Sequence, residues 1–265
     1  RATIIANCPT ASLQTLVSTP DRHLIAFGTE TTIGTASTQD DMYIRWSDQE
    51  SINATTSWAP SAINTSGTQR LADGTRIVSA IRGRDAIYIW TDTSLFIMRF
   101  VGAPFVFSFQ QVGTNCGLIG KNAAVEVDGS AYWMSENGFF RYTGKLDSLA
   151  CLVEDYVYDD INTVPRQHIY AGLNNLFGEV TWFYPGSGAA SNNRSVTYNY
   201  MDSTPERPVW TTSSLARSTW SDSHIFGKPH GTEYDSSATS DTTVGNTDGV
   251  TTYFEHETGV NQIKS

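Results

Sequence analysis

The stretch TRIVSAIRGRDAIYIWTDTSLFIMRFVGAPFVFSFQQVG, residues 75–113, decides the fold. It divides into four runs, TRIVSAIRG, AIYIWTDTS, SLFIMRFVG and FVFSFQQVG, each alternating apolar with polar side chains and rich in β-branched or aromatic residues. A period of two sends successive side chains to opposite faces of a strand. Between the runs stand Arg84-Asp85, Thr93-Ser94 and Gly102-Ala103-Pro104, connections far too short for a crossover helix. Four consecutive antiparallel strands are therefore predicted, the size of one propeller blade.

Outward from this unit the pattern recurs around a tryptophan. MYIRWSD (42–48), AIYIWTD (86–92), SAYWMSE (130–136) and GEVTWFYP (178–185) place Trp46, Trp90, Trp133 and Trp182 at steps of 44, 43 and 49 residues. A blade of a repeat propeller takes about 40 to 50 residues. The spacing thus predicts an all-β protein, a β-propeller of five to six four-stranded blades over 18–60, 74–118, 120–150, 166–213 and 214–260, in a single domain spanning 1–265. The first blade is read as HLIAFGT, MYIRWSD and a terminal SWAP, and residues 1–17 would supply a sixth blade or close the ring by pairing with a distant strand. Within AAVEVDGSAYWMSENGFFRYTG, Asp128-Gly129 and Asn137-Gly138 read as tight hairpin turns with positive φ. One segment departs from the β pattern: CLVEDYVYDDI, 151–161, gathers Val153, Tyr156, Val157 and Ile161 on one face of a short helix. Residues 235–249, DSSATSDTTVGNTDG, hold almost no large apolar side chain and are expected to form a mobile loop.

Composition narrows the function classes. The chain has 27 acidic against 17 basic residues, a formal charge of −10, so it has no general positive field with which to wrap nucleic acid tightly. Such acidity suits instead a channel wall along which DNA slides without adhering. Cys8, Cys116 and Cys151 are odd in number and form no CxxC pair, and we expect three thiols, mostly buried. No run approaches the roughly 18 apolar residues of a membrane span, no signal-peptide pattern opens the sequence, and no membrane insertion is expected. Arg1 in place of an initiator Met points to a longer chain.

No chemistry-bearing motif stands out. His23, His168, His224, His230 and His256 have no HExxH or HxH partner, and Glu255, His256 and Glu257 alternate faces of a strand and cannot share one ion. Asp40-Asp41 and Asp159-Asp160 read as a turn and a helix end. Nucleophile-elbow, Walker and dinucleotide fingerprints are absent. SENGFFRY (135–142) partly matches the Asp-box hairpin of sialidase propellers, with Asn137 for the Asp and Tyr142 for the Trp. Sialidase chemistry also needs an arginine cluster, and Arg45, Arg82, Arg84, Arg99 and Arg141 lie at unrelated strand offsets. Asn53, Asn64 and Asn193 head NxS/T triplets, as expected by chance in a Ser/Thr/Asn-rich chain. No enzyme activity, catalytic residue, cofactor or metal is expected.

The succession DRHLIAFGT (21–29), IRWSDQES (44–51), SWAP (57–60), IWTDTSLFIMRFVGAPFVFSFQQVGTNCGLIG (89–120), YWMSENGFFRYTG (132–144), GEVTWFYP (178–185), LARS (215–218) and YFEHETG (253–259) resembles virion structural proteins of tailed phages. The similarity is to the packaged-DNA-stabilisation or tail-nozzle proteins of short-tailed phages, over about 21–258. The resemblance implies a propeller-like subunit of the virion neck or tail, a homo-hexameric ring beneath the portal. Its partners would be further copies of itself, portal or adaptor and other tail proteins, and DNA in transient passage. Family members are commonly longer, which would leave a tip or docking domain outside this sequence. The second reading is a glycan-binding or glycan-cleaving propeller that recognises a host receptor, and a third is a cellular protein-docking propeller.

Overall fold

In the computed structural model, which describes residues 7–19, 21–222, 229–235, 251–256 and 262–264, the chain forms five four-stranded antiparallel sheets, each paired in chain order. The first contains β1 (Gln14–Val17), β2 (Leu24–Phe27), β3 (Tyr43–Trp46) and β4 (Gly67–Arg70). The second contains β5 (Ile77–Arg82), β6 (Ile87–Thr91), β7 (Ser94–Gly102) and β8 (Val106–Thr114), and the third β9 (Ala124–Val127), β10 (Ser130–Ser135), β11 (Gly138–Tyr142) and β12 (Leu146–Leu149). The fourth is β13 (Tyr170–Asn174), β14 (Glu179–Tyr184), β15 (Arg194–Asn199) and β16 (Trp210–Ser213). The fifth is β17 (Thr219–Ser221), β18 (His230–Asp235), β19 (Thr251–His256) and β20 (Gln262–Lys264). One α-helix, α1 (Glu154–Asp160), lies between the third and fourth sheets.

Alternation explains how the second sheet is sandwiched. Tyr88, Trp90, Leu95 and Ile97 point into a core shared with Trp133, Phe139 and Trp182 of the third and fourth sheets. Their neighbours Ile87, Ile89, Phe96 and Met98 point the other way, into a core with Ile25, Phe27, Ile44 and Trp46 of the first sheet. A strand buried on both faces thus keeps its period of two while being apolar throughout.

The first strands of successive sheets lie side by side in chain order, β1 by β5, β5 by β9, β9 by β13 and β13 by β17. They run parallel. The Gln14 amide bonds the Ala80 backbone in both directions, while Arg82, two residues on, reaches the carbonyl of Val17, three residues on. Asn122 forms a parallel bridge with Tyr170, and Trp220 and Asp222 bond Leu173 and Asn175 in step. Lys121 reaches from the start of the third sheet to the Leu13 carbonyl at the start of the first, 3.3 Å away, bypassing the second sheet. The sheets are therefore arranged as blades about a common axis. Because they share one orientation, turns within the first and last strand pairs of each sheet lie at one end, the hairpin end. The connections between sheets lie at the other, the linker end.

Several expectations need correction. Trp90, Trp133 and Trp182 occupy second strands, whereas Trp46 lies on the third strand of its sheet, so the first step of 44 residues joins non-equivalent positions. SWAP is not a strand: Trp58 is buried in the β3–β4 connection, and the fourth strand is the polar Gly67–Arg70. Residues 14–17 pair with β2 in the first sheet and not with a distant strand, while residues 1–6 lie outside the described residues. Asp128 and Gly129 have φ of 51° and 83°, as the turn requires, but at the next hairpin the turn pair is Glu136-Asn137 and only Gly138, at 128°, has positive φ. The helix falls within the expected segment and turns Val153, Val157 and Ile161 inward as expected, but Tyr156 is exposed and Tyr158, packed on Phe139, takes its place. Asp235 ends β18, and the remainder of the expected loop, 236–249, lies outside the described residues.

Candidate functional site

The sequence places its large exposed apolar side chains unevenly. Phe100, Val101 and Phe105 crown the β7–β8 hairpin, Leu176 and Phe177 the β13–β14 turn, Met201 the β15–β16 connection, and Ile52 and Ile63 the β3–β4 connection. These eight are at the hairpin end, while Leu152, Tyr156 and Val164 are exposed at the linker end. Phe105 is 77% exposed and Ile63 97%. The tip of the fourth sheet is held by backbone and amide bonds, Tyr200 N–H to the Gly178 carbonyl at 2.7 Å and the Asn199 amide to the Phe177 carbonyl at 3.1 Å. No core covers these side chains, and a cluster of exposed apolar groups marks an interaction surface.

At the linker end, a cavity of about 740 Å³ opens beside the first strands of the fourth and fifth sheets. Tyr170 and Trp220 contribute rings, with Asn122, Gln167, His168, Asn192 and Arg217 around them. Its walls are fixed from below: the Asn192 amide donates to the carbonyls of His168 and Arg217 at 2.7 and 3.2 Å, and the Trp220 indole to the Leu173 carbonyl at 2.7 Å. Burial raises the Tyr170 hydroxyl well above the ordinary tyrosine range, and nearby Arg217 only partly offsets it. This ring stays neutral.

Helix α1 borders the same end. Burial likewise drives the Tyr158 hydroxyl far up, and it lies 2.7 and 3.0 Å from the carbonyls of Ser135 and Gly138 while accepting the Gly138 N–H at 3.2 Å. The helix is thereby tied to the β10–β11 hairpin, the SENGFFRY segment. Leu152, Tyr156 and Val164 remain exposed around it.

The residues singled out by sequence do not converge. Arg45 is 4% exposed and donates to the carbonyls of Trp58, Glu30 and Thr31, a buried strut beneath the β3–β4 connection. Arg141 pairs with Asp147 on β12, Arg99 lies on β7, and Arg82 and Arg84 share a small hollow with Asp21 and Asp85. Asp40 accepts from Arg70 and the Met42 N–H, and Asp160 accepts from Arg194, so both serve local structure. Asn64 folds back on its own loop, and Asn193 holds the Gly186 N–H. His23 is fully buried, with Nδ1 2.8 Å from the Ser47 carbonyl, whereas His224 and Glu257 lie outside the described residues. Cys116 is buried and Cys8 and Cys151 half-buried, and burial pushes the Cys116 and Cys151 thiols up to about 11. Among the described residues no group of three or more His, Cys, Asp or Glu is placed to hold a metal ion, and no helix is long and apolar enough to cross a membrane.

Comparison with known proteins adds little. No family model and no curated protein matches the chain. A solved structure described as an S. cerevisiae Dbp5 variant bound to Nup159, a Gle1 variant, IP6 and ADP aligns over 96% of this chain at a TM-score of 0.47 and 9% identity. This chain spans 60% of the length of the chain it aligns with there.

Proposed function

We propose that this chain is a structural subunit of a tailed-phage virion, a neck adaptor or tail nozzle that assembles as a ring, hexameric by its resemblance, and retains and later conducts the genome. It turns over no substrate. The observation that carries this reading is the set of exposed apolar tips, from the first, second and fourth sheets, at the hairpin end. Exposed apolar side chains gathered at one end of an axial scaffold suit stacking against a neighbouring ring or tail component. Two further features support it. Indole N–H groups bind neighbouring sheets to each other, as befits a wall that resists pressure, and the net charge of −10 keeps such a wall from holding DNA.

Native mass spectrometry and electron microscopy test the proposal. A closed ring at micromolar concentration, and density for this fold on the tail axis of particles, is the expected result. A monomer at all concentrations, with no such density in particles, would sink it.

A further inference from the structure

We infer that the linker-end cavity is a binding site for a short neutral oligosaccharide. At about 740 Å³ it falls within the roughly 300–1,000 Å³ of small-molecule sites. Its lining combines one aromatic wall, Trp220 with Tyr170, and a rim of groups that both donate and accept hydrogen bonds, Asn122, Gln167, His168 and Ser191. Sugar hydroxyls also donate and accept at once, and the C–H face of a pyranose stacks on an indole.

The rim is prepared for such a ligand. His168 is exposed with Nδ1 2.9 Å from the Ala190 carbonyl; when that nitrogen carries the proton, Nε2 is left as an acceptor. Gln167 and Asn122 are exposed and line the cavity, and the Asn122 backbone carbonyl accepts the Ala171 N–H at 2.8 Å. The Trp220 ring is held in place, its N–H donating to the Leu173 carbonyl and its edge packed closely on Gly172 and Gly231. Among the described residues no Asp or Glu lines the cavity, so it lacks the carboxylates that hold a hard cation, and the polar rim does not suit a lipid chain.

The experiment uses the full chain on a glycan array, followed by calorimetric titration and tryptophan fluorescence with maltotriose, cellotriose, chitotriose and any array hit. Binding of a neutral oligosaccharide is expected, weakened about tenfold by Ala190→Trp, which intrudes on the cavity from its rim, with no change in melting temperature. Should that variant fail to fold, Gln167→Ala, an exposed rim change, reads the same loss. Silence on the array and in all three titrations, or full affinity in the variants, would overturn the inference. Both measurements report on a single chain, so their failure leaves the ring proposal standing, and failure of the ring leaves the cavity to be judged by them.

Discussion

Trp182 on β14 donates its indole N–H to the carbonyl of Ala123, one residue before β9, at 3.0 Å. The bond joins the fourth sheet to the third, and its ring lies against Phe139 at 5.0 Å. Trp90 offers the contrast: it is equally buried, packs edge-on against Trp133 at 5.4 Å, and its N–H has no hydrogen-bond partner among the described residues. Trp182→Phe therefore removes ring volume and a bond between sheets, at a cost of about 2 kcal/mol. Trp90→Phe loses similar volume but no bond, and costs less by about 1 kcal/mol. Urea midpoints of the two variants check this order, and equal losses would contradict it.

Acid should loosen the first sheet. Glu30 is fully buried, and its carboxylate accepts from the backbone N–H groups of Thr10 and Ala11 at 2.9 Å and of Gly34 and Thr35 at 2.7 and 3.2 Å, as well as from the Thr10 hydroxyl. Burial disfavours its charge, but these donors together outweigh burial and hold its pKa below the ordinary 4.5. A pKa lowered by folding contributes stability that is complete above the unfolded value and is lost as pH falls through the folded one. Asp48, bonded by Thr65, and Asp92, bonded by Thr75, act in the same direction. Stability is thus expected to fall as pH drops below about 4.5. Glu30→Gln should cost about 3 kcal/mol at neutral pH and flatten that decline, measured by thermal melts from pH 7 to pH 3.

The blade architecture was legible because its strands are buried on both sides. Trp90, Trp133 and Trp182 mark the second strands of three consecutive sheets, and alternation around them persists even where every side chain is apolar. Legibility failed where a strand is short or polar. β1 is QTLV and β4 is GTQR, neither with an aromatic side chain, so Trp58 in the intervening connection took the place of a strand in the sequence reading. Tyr156 and Tyr158 could not be told apart by helical periodicity, since a helix of seven residues turns its inner face according to which hairpin it meets. The cavity was invisible for a different reason. Asn122, His168, Asn192, Arg217 and Trp220 come from four separate segments, and only the parallel docking of β9, β13 and β17 brings them together.

Tyr158 makes α1 part of the third sheet. Its hydroxyl lies near two carbonyls of the β10–β11 hairpin and receives the Gly138 N–H, all inside a site closed by Phe139. Tyr158→Phe keeps the ring and deletes these bonds, leaving hairpin groups buried without their partner, a loss of about 1 to 3 kcal/mol. Hydrogen exchange should quicken in α1 and at Gly138 before it does in the second sheet. Uniform exchange across all sheets would show that the Tyr158 hydroxyl does not tie the helix to this hairpin as one local unit.

Gly117 and Gly129 separate steric from backbone effects at two turns. A Cβ on Gly117 would stand 2.1 Å from the Asp92 carbonyl oxygen and 2.6 Å from the Thr93 nitrogen, both main-chain atoms. They cannot move aside, because the linker is stitched to the same turn by Cys116 N–H to the Thr93 carbonyl at 3.0 Å and Leu118 N–H to the Thr91 carbonyl at 3.2 Å. Gly117→Ala must therefore part the linker from the second sheet, at a cost of about 3 kcal/mol or more. At Gly129 the added Cβ meets nothing within 4 Å, but φ is 83°. Gly129→Ala pays only for the left-handed backbone, about 1 to 2 kcal/mol. Calorimetry of the two variants should show the larger loss at Gly117. The reverse order would mean that the linker yields, and that the second and third sheets are less firmly joined than their hydrogen bonds indicate.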